Sequence, residues 1–270
     1  MRGSRNAPIG VFDSGIGGLT VVAALERALP RESMLYFGDT ARVPYGPKSP
    51  DTVRRYAREI SVWLRGEGVK AIVVACNTAT AHALPMLQAE SDVPVIGVIE
   101  PGARAAVAAA HENGIGVIAT AGTIASGAYS HAIHALAPRI AVVSQACPLF
   151  VPLVEEGWID HPATTIIARE YLAPLITAGV RAVVLGCTHY PLLRTVLAGI
   201  LGAGVTLIDS AEATAAVTAE VLAERDLVAD SFAPAPVHRF VASDAPDQFL
   251  RLGQRFLGAA IERVETVTLG

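Results

Sequence analysis

The sequence predicts an α/β fold of two pseudo-symmetric lobes, each with a parallel-rich sheet flanked by helices, and a functional cleft between them. Three observations support this. Short apolar, β-rich runs alternate with longer helical patterns along the 270 residues, the order that buries parallel sheets under helices on both faces. The segment GVKAIVVACNT at 68–78 returns as GVRAVVLGCTH at 179–189, 111 residues later. A weaker pair, IGVFDSGIGG and IGVIATAGTI, stands 106 residues apart. Two copies of one α/β unit, roughly a hundred residues each, explain both spacings. The aliphatics alone are what any turn into a buried parallel strand looks like. That ordinary reading leaves a Cys and a polar pair at the same offset unexplained.

In the first copy, IGVFD (9–13) reads as a strand, GGLTVVAALERALP (17–30) as a helix stopped by Pro30, and SMLYFGD (33–39) as a strand. SPDTVRRYAREISVWLRGEG (49–68) is an amphipathic helix, capped by Ser49, with Pro50 at the first position where a missing N–H does no harm. AIVVAC is an apolar strand of the kind buried on both faces. TATAHALPMLQAES is a helix that Pro85 bends or ends, and VPVIGVI (93–99) is a strand. The order then restarts. GIGVIAT (114–120), AVVSQAC (141–147) and AVVLGC (182–187) read as strands. GTIASGAYSHAIHALAP, HPATTIIAREYLAPLITAG and YPLLRTVLAGILG read as helices. VTLIDS (205–210) is a further strand, AEATAAVTAEVLAERDL a helix, and the tail VHRFVASDAPDQFLRLGQRFLG a strand and a helix.

Composition narrows the class. The chain is 52% apolar and 17% charged, with net charge −4, a soluble globular signature without a basic face for nucleic acid. The N-terminal stretch lacks the apolar core of a signal peptide, and no apolar run is long enough to span a membrane. Three cysteines are an odd number. Free thiols in a cytoplasm are therefore expected rather than a disulfide framework.

Ligands of open parallel sheets bind beyond the carboxyl ends of strands. Cys76, Asn77 and Thr78 stand there in one copy, and Cys187, Thr188 and His189 in the other. A single buried Cys is usually structural, and Cys147, followed by Pro and apolar residues, is read that way. Two at equivalent strand ends, each before a helix start that favours thiolate, point to chemistry. FDSGIGGLT lacks both the Walker ending and the GxGxxG spacing. Its glycines suit a tight turn, and Asp13 suits orienting an ammonium group or tuning a thiol. Tyr45 sits in a Pro/Gly-rich loop, and Glu155 and Glu156 read by default as a solvated pair. His131 and His134 lack metal-spaced partners, so no metal site is expected.

Two thiols facing one cleft suit stereochemical inversion, in which one group removes a proton and the other returns one to the opposite face. Backbone amides at the strand ends, with Ser14, Asn77, Thr78 and Thr188, would stabilise the carbanionic transition state. A non-catalytic amino-acid-binding protein has no use for paired cysteines, and a thiol–disulfide enzyme would show Cys-x-x-Cys. A pyridoxal-phosphate enzyme would need Lys48 or Lys70, the two lysines of the chain.

The stretches VFDSGIGGLT, FGDTARVPYGPKS, VVACNTAT, GVIATAGTIASGAY, CPLFVPLVEEG and VLGCTHYPLL, in that order, resemble the bacterial glutamate racemases, a family grouped with the aspartate and hydantoin racemases. DSGIGG and PYGPKS point to the glutamate branch. The resemblance implies cofactor-independent interconversion of L- and D-glutamate for peptidoglycan. It places Cys76 as the base for D-glutamate and Cys187 as the base for L-glutamate, with Asp13, Glu155 and His189 assisting the thiols. It implies substrate contacts from Asp13, Ser14, Tyr45, Gly46, Asn77, Thr78, Thr188 and His189, and less firmly Thr123. It also implies a first lobe of residues 1–98 completed by 210–270, a second lobe of 99–209, a glutamate partner, and a homodimer as a candidate assembly.

Overall fold

The computed structural model describes residues 4–110, 113–232, 234–257 and 261–269. Ten strands are seen among them: β1 (Ile9–Asp13), β2 (Met34–Gly38), β3 (Ala71–Val74), β4 (Val95–Gly97), β5 (Ile115–Ala119), β6 (Val142–Ala146), β7 (Ala182–Gly186), β8 (Thr206–Asp209), β9 (His238–Ala242) and β10 (Glu265–Thr266). They form two sheets, in the orders β10-β9-β2-β1-β3-β4 and β6-β5-β7-β8. Every pairing is parallel. The order β2-β1-β3-β4 in one sheet is repeated as β6-β5-β7-β8 in the other. The sequence repeat is thus a topological repeat, and β9 and β10 extend only the first sheet.

The helices are α1 (Leu19–Ala28), α2 (Pro50–Gly66), α3 (Asn77–Glu90), α4 (Ile99–Ala110), α5 (Ala121–Ala125), α6 (Ala128–Leu136), α7 (Phe150–Glu155), α8 (Pro162–Thr177), α9 (Arg194–Leu201), α10 (Ser210–Glu224) and α11 (Pro246–Leu257). Alternate residues of β1 enter different clusters: Ile9 and Val11 pack on one face, Phe12 on the other. The second sheet is covered in the same way, with Ile118 and Val183 on one side and Val117 and Val184 on the other. Both faces of each sheet are therefore dry at its centre, which is why its central strands are nearly all apolar.

Ser49 caps α2 as expected, accepting the Thr52 N–H at 3.3 Å, with Pro50 at the helix start. Several expectations need correction. α3 runs through Pro85 to Glu90. The expected single helix over 122–138 is two, because Gly127 takes φ +68° between α5 and α6, a conformation that favours glycine. A 3-10 turn (Tyr190–Leu193) precedes α9. The strand expected over 93–99 shrinks to three residues, and Ile99 instead opens α4, which carries Pro101 in its first turn. Gly258, the last residue of the expected tail helix, lies outside the described residues.

Candidate active site

The central strands of both sheets aim their carboxyl ends at one tight cavity of about 30 Å³. The first sheet contributes Ser14 after β1, Cys76, Asn77 and Thr78 after β3, and Pro44, Tyr45 and Gly46 from the loop after β2. The second contributes Thr120 after β5, and Cys187, Thr188 and His189 after β7. β1 beside β3, and β5 beside β7, are the places where strand order reverses, and ligands of α/β sheets bind at such switch points. Both thiols are nearly enclosed, at 5% and 6% exposure.

Cys76 caps α3, and its Sγ accepts the Ala79 N–H at 3.4 Å. Ser14 also hydrogen-bonds it. The expected lowering by the helix start is not found. Burial, and second the Asp13 carboxylate, push the Cys76 thiol up to about 12; a partial positive charge at a helix end is outweighed by an anion in a dry site. Asp13 is itself buried, which raises its pKa, while the charge on His189 opposes the rise. The Gly15 N–H donates to its Oδ2 at 3.0 Å. Its Oδ1 is buried without a hydrogen-bond partner among the described residues.

Cys187 has different company. The 3-10 turn follows it rather than an α-helix, and His189 Nδ1 lies 3.9 Å from its Sγ. The other ring nitrogen, Nε2, donates to Glu155 Oε1 at 3.1 Å. Burial alone would lower the imidazole, but its bonds to Cys187 and Glu155 win, and its pKa is raised to about 10. His189 is therefore an imidazolium at neutral pH. Glu155 and Glu156 are not a solvated pair: Glu155 turns inward to His189, while Glu156 is exposed.

The other expected residues divide. Tyr45 lines the cavity, but its ring is buried and its hydroxyl is bonded to Asp39. Thr123 does not line the cavity; it stands behind, in a triangle of hydroxyls with Thr78 at 3.1 Å and Thr120 at 3.0 Å. Thr120 was not singled out from sequence, although the 106-residue repeat aligns it with Ser14. The glycines of DSGIGG permit close approach. A Cβ at Gly17 would sit 2.2 Å from Thr188 Oγ1, and one at Gly18 2.6 Å from Asp13 Cβ. Asn77 Oδ1 accepts the Tyr129 hydroxyl at 2.7 Å. Its Nδ2 is buried with no hydrogen-bond partner among the described residues. Cys147 is outside the lining, its Sγ 3.6 Å from Gln145 O. Lys70 is ion-paired with Glu32 before β3, at the strand end opposite Cys76. Lys48 lines a neighbouring groove with Arg54 and His82. Among the described residues no helix is long and apolar enough to cross a membrane.

Residues 9–218 match the family model described as Asp/Glu/Hydantoin racemase. The glutamate racemase of Geobacter metallireducens is 52% identical over 261 residues, covering 97% of this chain and 96% of its own. Two crystal structures superpose over 98% of both chains: a glutamate racemase isoform from Bacillus anthracis, at 42% identity and TM-score 0.94, and the glutamate racemase of Francisella tularensis in complex with D-glutamate, at 41% and 0.92.

Proposed function

From the premise that the chain belongs to the Asp/Glu/Hydantoin racemase family and is an amino-acid racemase, we propose that it interconverts L- and D-glutamate without a cofactor, by proton transfer at Cα between Cys76 and Cys187. We assign it to D-glutamate supply for peptidoglycan in the cytoplasm. The observation that carries the mechanism is the pair of thiols at matching strand ends of two equivalent sheets, lining one cavity.

The asymmetry of the surroundings supports a division of labour. For L-glutamate, Cys187 as thiolate takes the Cα proton, with the His189 imidazolium beside it to balance the charge. Cys76, kept protonated by burial and Asp13, delivers its own proton to the opposite face. Ser14, Asn77, Thr78 and Thr188 supply donors for carboxylate oxygens, which stabilises the charge that develops as Cα loses its proton. The Asp13 carboxylate orients the substrate ammonium. In the reverse direction Cys76 must first ionise, and the arriving ammonium offsets the anionic charge that opposes this. Residues 1–98 with 210–270, and 99–209, are proposed as the two bodies around the cleft, and a homodimer as the assembly.

The test is a circular-dichroism assay with glutamate and with aspartate, without added cofactor. Cys76→Ala and Cys187→Ala should each lose about a hundredfold or more in both directions, the usual loss when an acid–base group is removed, with melting largely kept. In heavy water, early D-glutamate formed from L-glutamate should carry deuterium at Cα while recovered L-glutamate stays protiated. Comparable early deuterium in both enantiomers would sink the two-thiol assignment.

A further inference from the structure

Tyr129 belongs to α6, beside the second sheet, yet its hydroxyl reaches Asn77 at the start of α3, beside the first. That hydroxyl has one proton. It is given to Asn77 Oδ1, so the hydrogen bond between Tyr129 and the Ser210 side chain must have Ser210 as donor. The direction of the chain is thus set: Ser210 to Tyr129 to Asn77. Burial raises the Tyr129 phenol's pKa, so it keeps its proton and stays a donor.

The place of this chain is as informative as its polarity. Ser210 opens α10, directly after β8, where the backbone leaves the second sheet on its way back to the first. α4 follows β4 and carries the backbone outward from the first sheet. Its Gly102 lies so close that an added Cβ would sit 3.1 Å from Ser210 Cβ and 3.3 Å from the Tyr129 hydroxyl. Both passages between the sheets therefore meet at Tyr129. At the far end, Asn77 lines the cavity, with its amide oxygen occupied and its amide nitrogen buried and unpaired among the described residues.

A carboxamide can present either end to a ligand. With Oδ1 held by a permanent donor, the end left for the cavity is the NH2 group, and a substrate carboxylate accepts only donors. We propose that Tyr129 is a positioning residue: it fixes the amide of Asn77 with its donor toward the substrate carboxylate, and ties that orientation to the two backbone passages through Ser210 and Gly102. The inference rests on the racemase reading above.

Tyr129→Phe removes one hydroxyl and keeps the ring. It should lower kcat/KM about tenfold for both enantiomers, the loss that goes with one misoriented hydrogen bond. Ser210→Ala should act in the same direction and more weakly. The deciding measurement is a double-mutant cycle. In an Asn77→Ala background, Tyr129→Phe should change kcat/KM, or the calorimetric dissociation constant of D-glutamate where turnover is too low, by less than about twofold. A merely structural tyrosine would give the same penalty in both backgrounds, and such additivity overturns the proposal. If Tyr129→Phe melts too low for kinetics, Ser210→Ala enters the same cycle. Wild-type protein without turnover overturns the racemase reading and this inference with it; turnover with an additive cycle overturns this inference alone.

Discussion

The internal repeat aligns Asp13 with Ala119 and Thr78 with His189, so matching thiols meet unlike neighbours. Cys76 has a carboxylate beside it, and Cys187 an imidazolium. Iodoacetamide, which reacts with thiolate, reads the first of these directly. Alkylation of Cys76 in ligand-free protein, followed by peptide mass spectrometry, should rise about tenfold per pH unit from neutrality upward without levelling off, because its thiol is pushed up to about 12. Asp13→Asn removes an anion that raises the thiol, so the variant should alkylate faster at each pH. A plateau near neutrality in wild type would show that the thiol is not raised. The two cysteines were legible in sequence because their offset repeats. The unequal charge around them was not, since it depends on burial and on Glu155, which arrives from a separate helix.

Among the connecting segments, the loop after β2 is held by a single buried carboxylate. Asp39 is fully buried and binds three partners: Arg42 through Nε at 3.0 and 2.8 Å, the Tyr45 hydroxyl, and the Ser243 hydroxyl at 2.9 Å. Ser243 follows β9, so one carboxylate joins the cavity loop to the C-terminal strands. Asp39→Asn should lower the unfolding free energy by about 3 kcal/mol, as when one partner of a buried ion pair is neutralised, and raise KM as Tyr45 and Gly46 lose their anchor. Urea denaturation and initial rates check the two effects separately. Sequence showed that this loop was rich in Pro and Gly, but a bare Asp39 has no periodic or repeat signature. The same limit applies to α4, whose Pro101 and Gly102 interrupt its helical pattern, and to Gly127, a helix break hidden inside a good helical composition.

At the scale of the molecule, alternation of strands and helices sufficed for parallel sheets, and the 111-residue spacing sufficed for two equivalent units. What the repeat cannot reveal is where it ends. Among the described residues β9 and β10 have no counterpart in the second sheet, and their placement beside β2 depends on long-range pairing. Burial and the Asp13 carboxylate disfavour the Cys76 anion, which has a kinetic corollary under the proposed mechanism. The free protein has two forms that differ in which sulfur holds the proton. L-glutamate reacts with the form in which Cys76 is protonated, D-glutamate with the form in which it is ionised, and the raised Cys76 value makes the latter scarce. Mirror-image molecules have equal free energy in achiral water, so detailed balance keeps kcat/KM the same for both directions at every pH. Progress curves started from each enantiomer should therefore give kcat and KM that differ by one common factor and quotients that coincide. The scarce form must react faster in proportion to its rarity, and near saturation turnover includes the wait for solvent to restore the proton. A lopsided pair of thiols sets how long each form waits, and never which enantiomer accumulates.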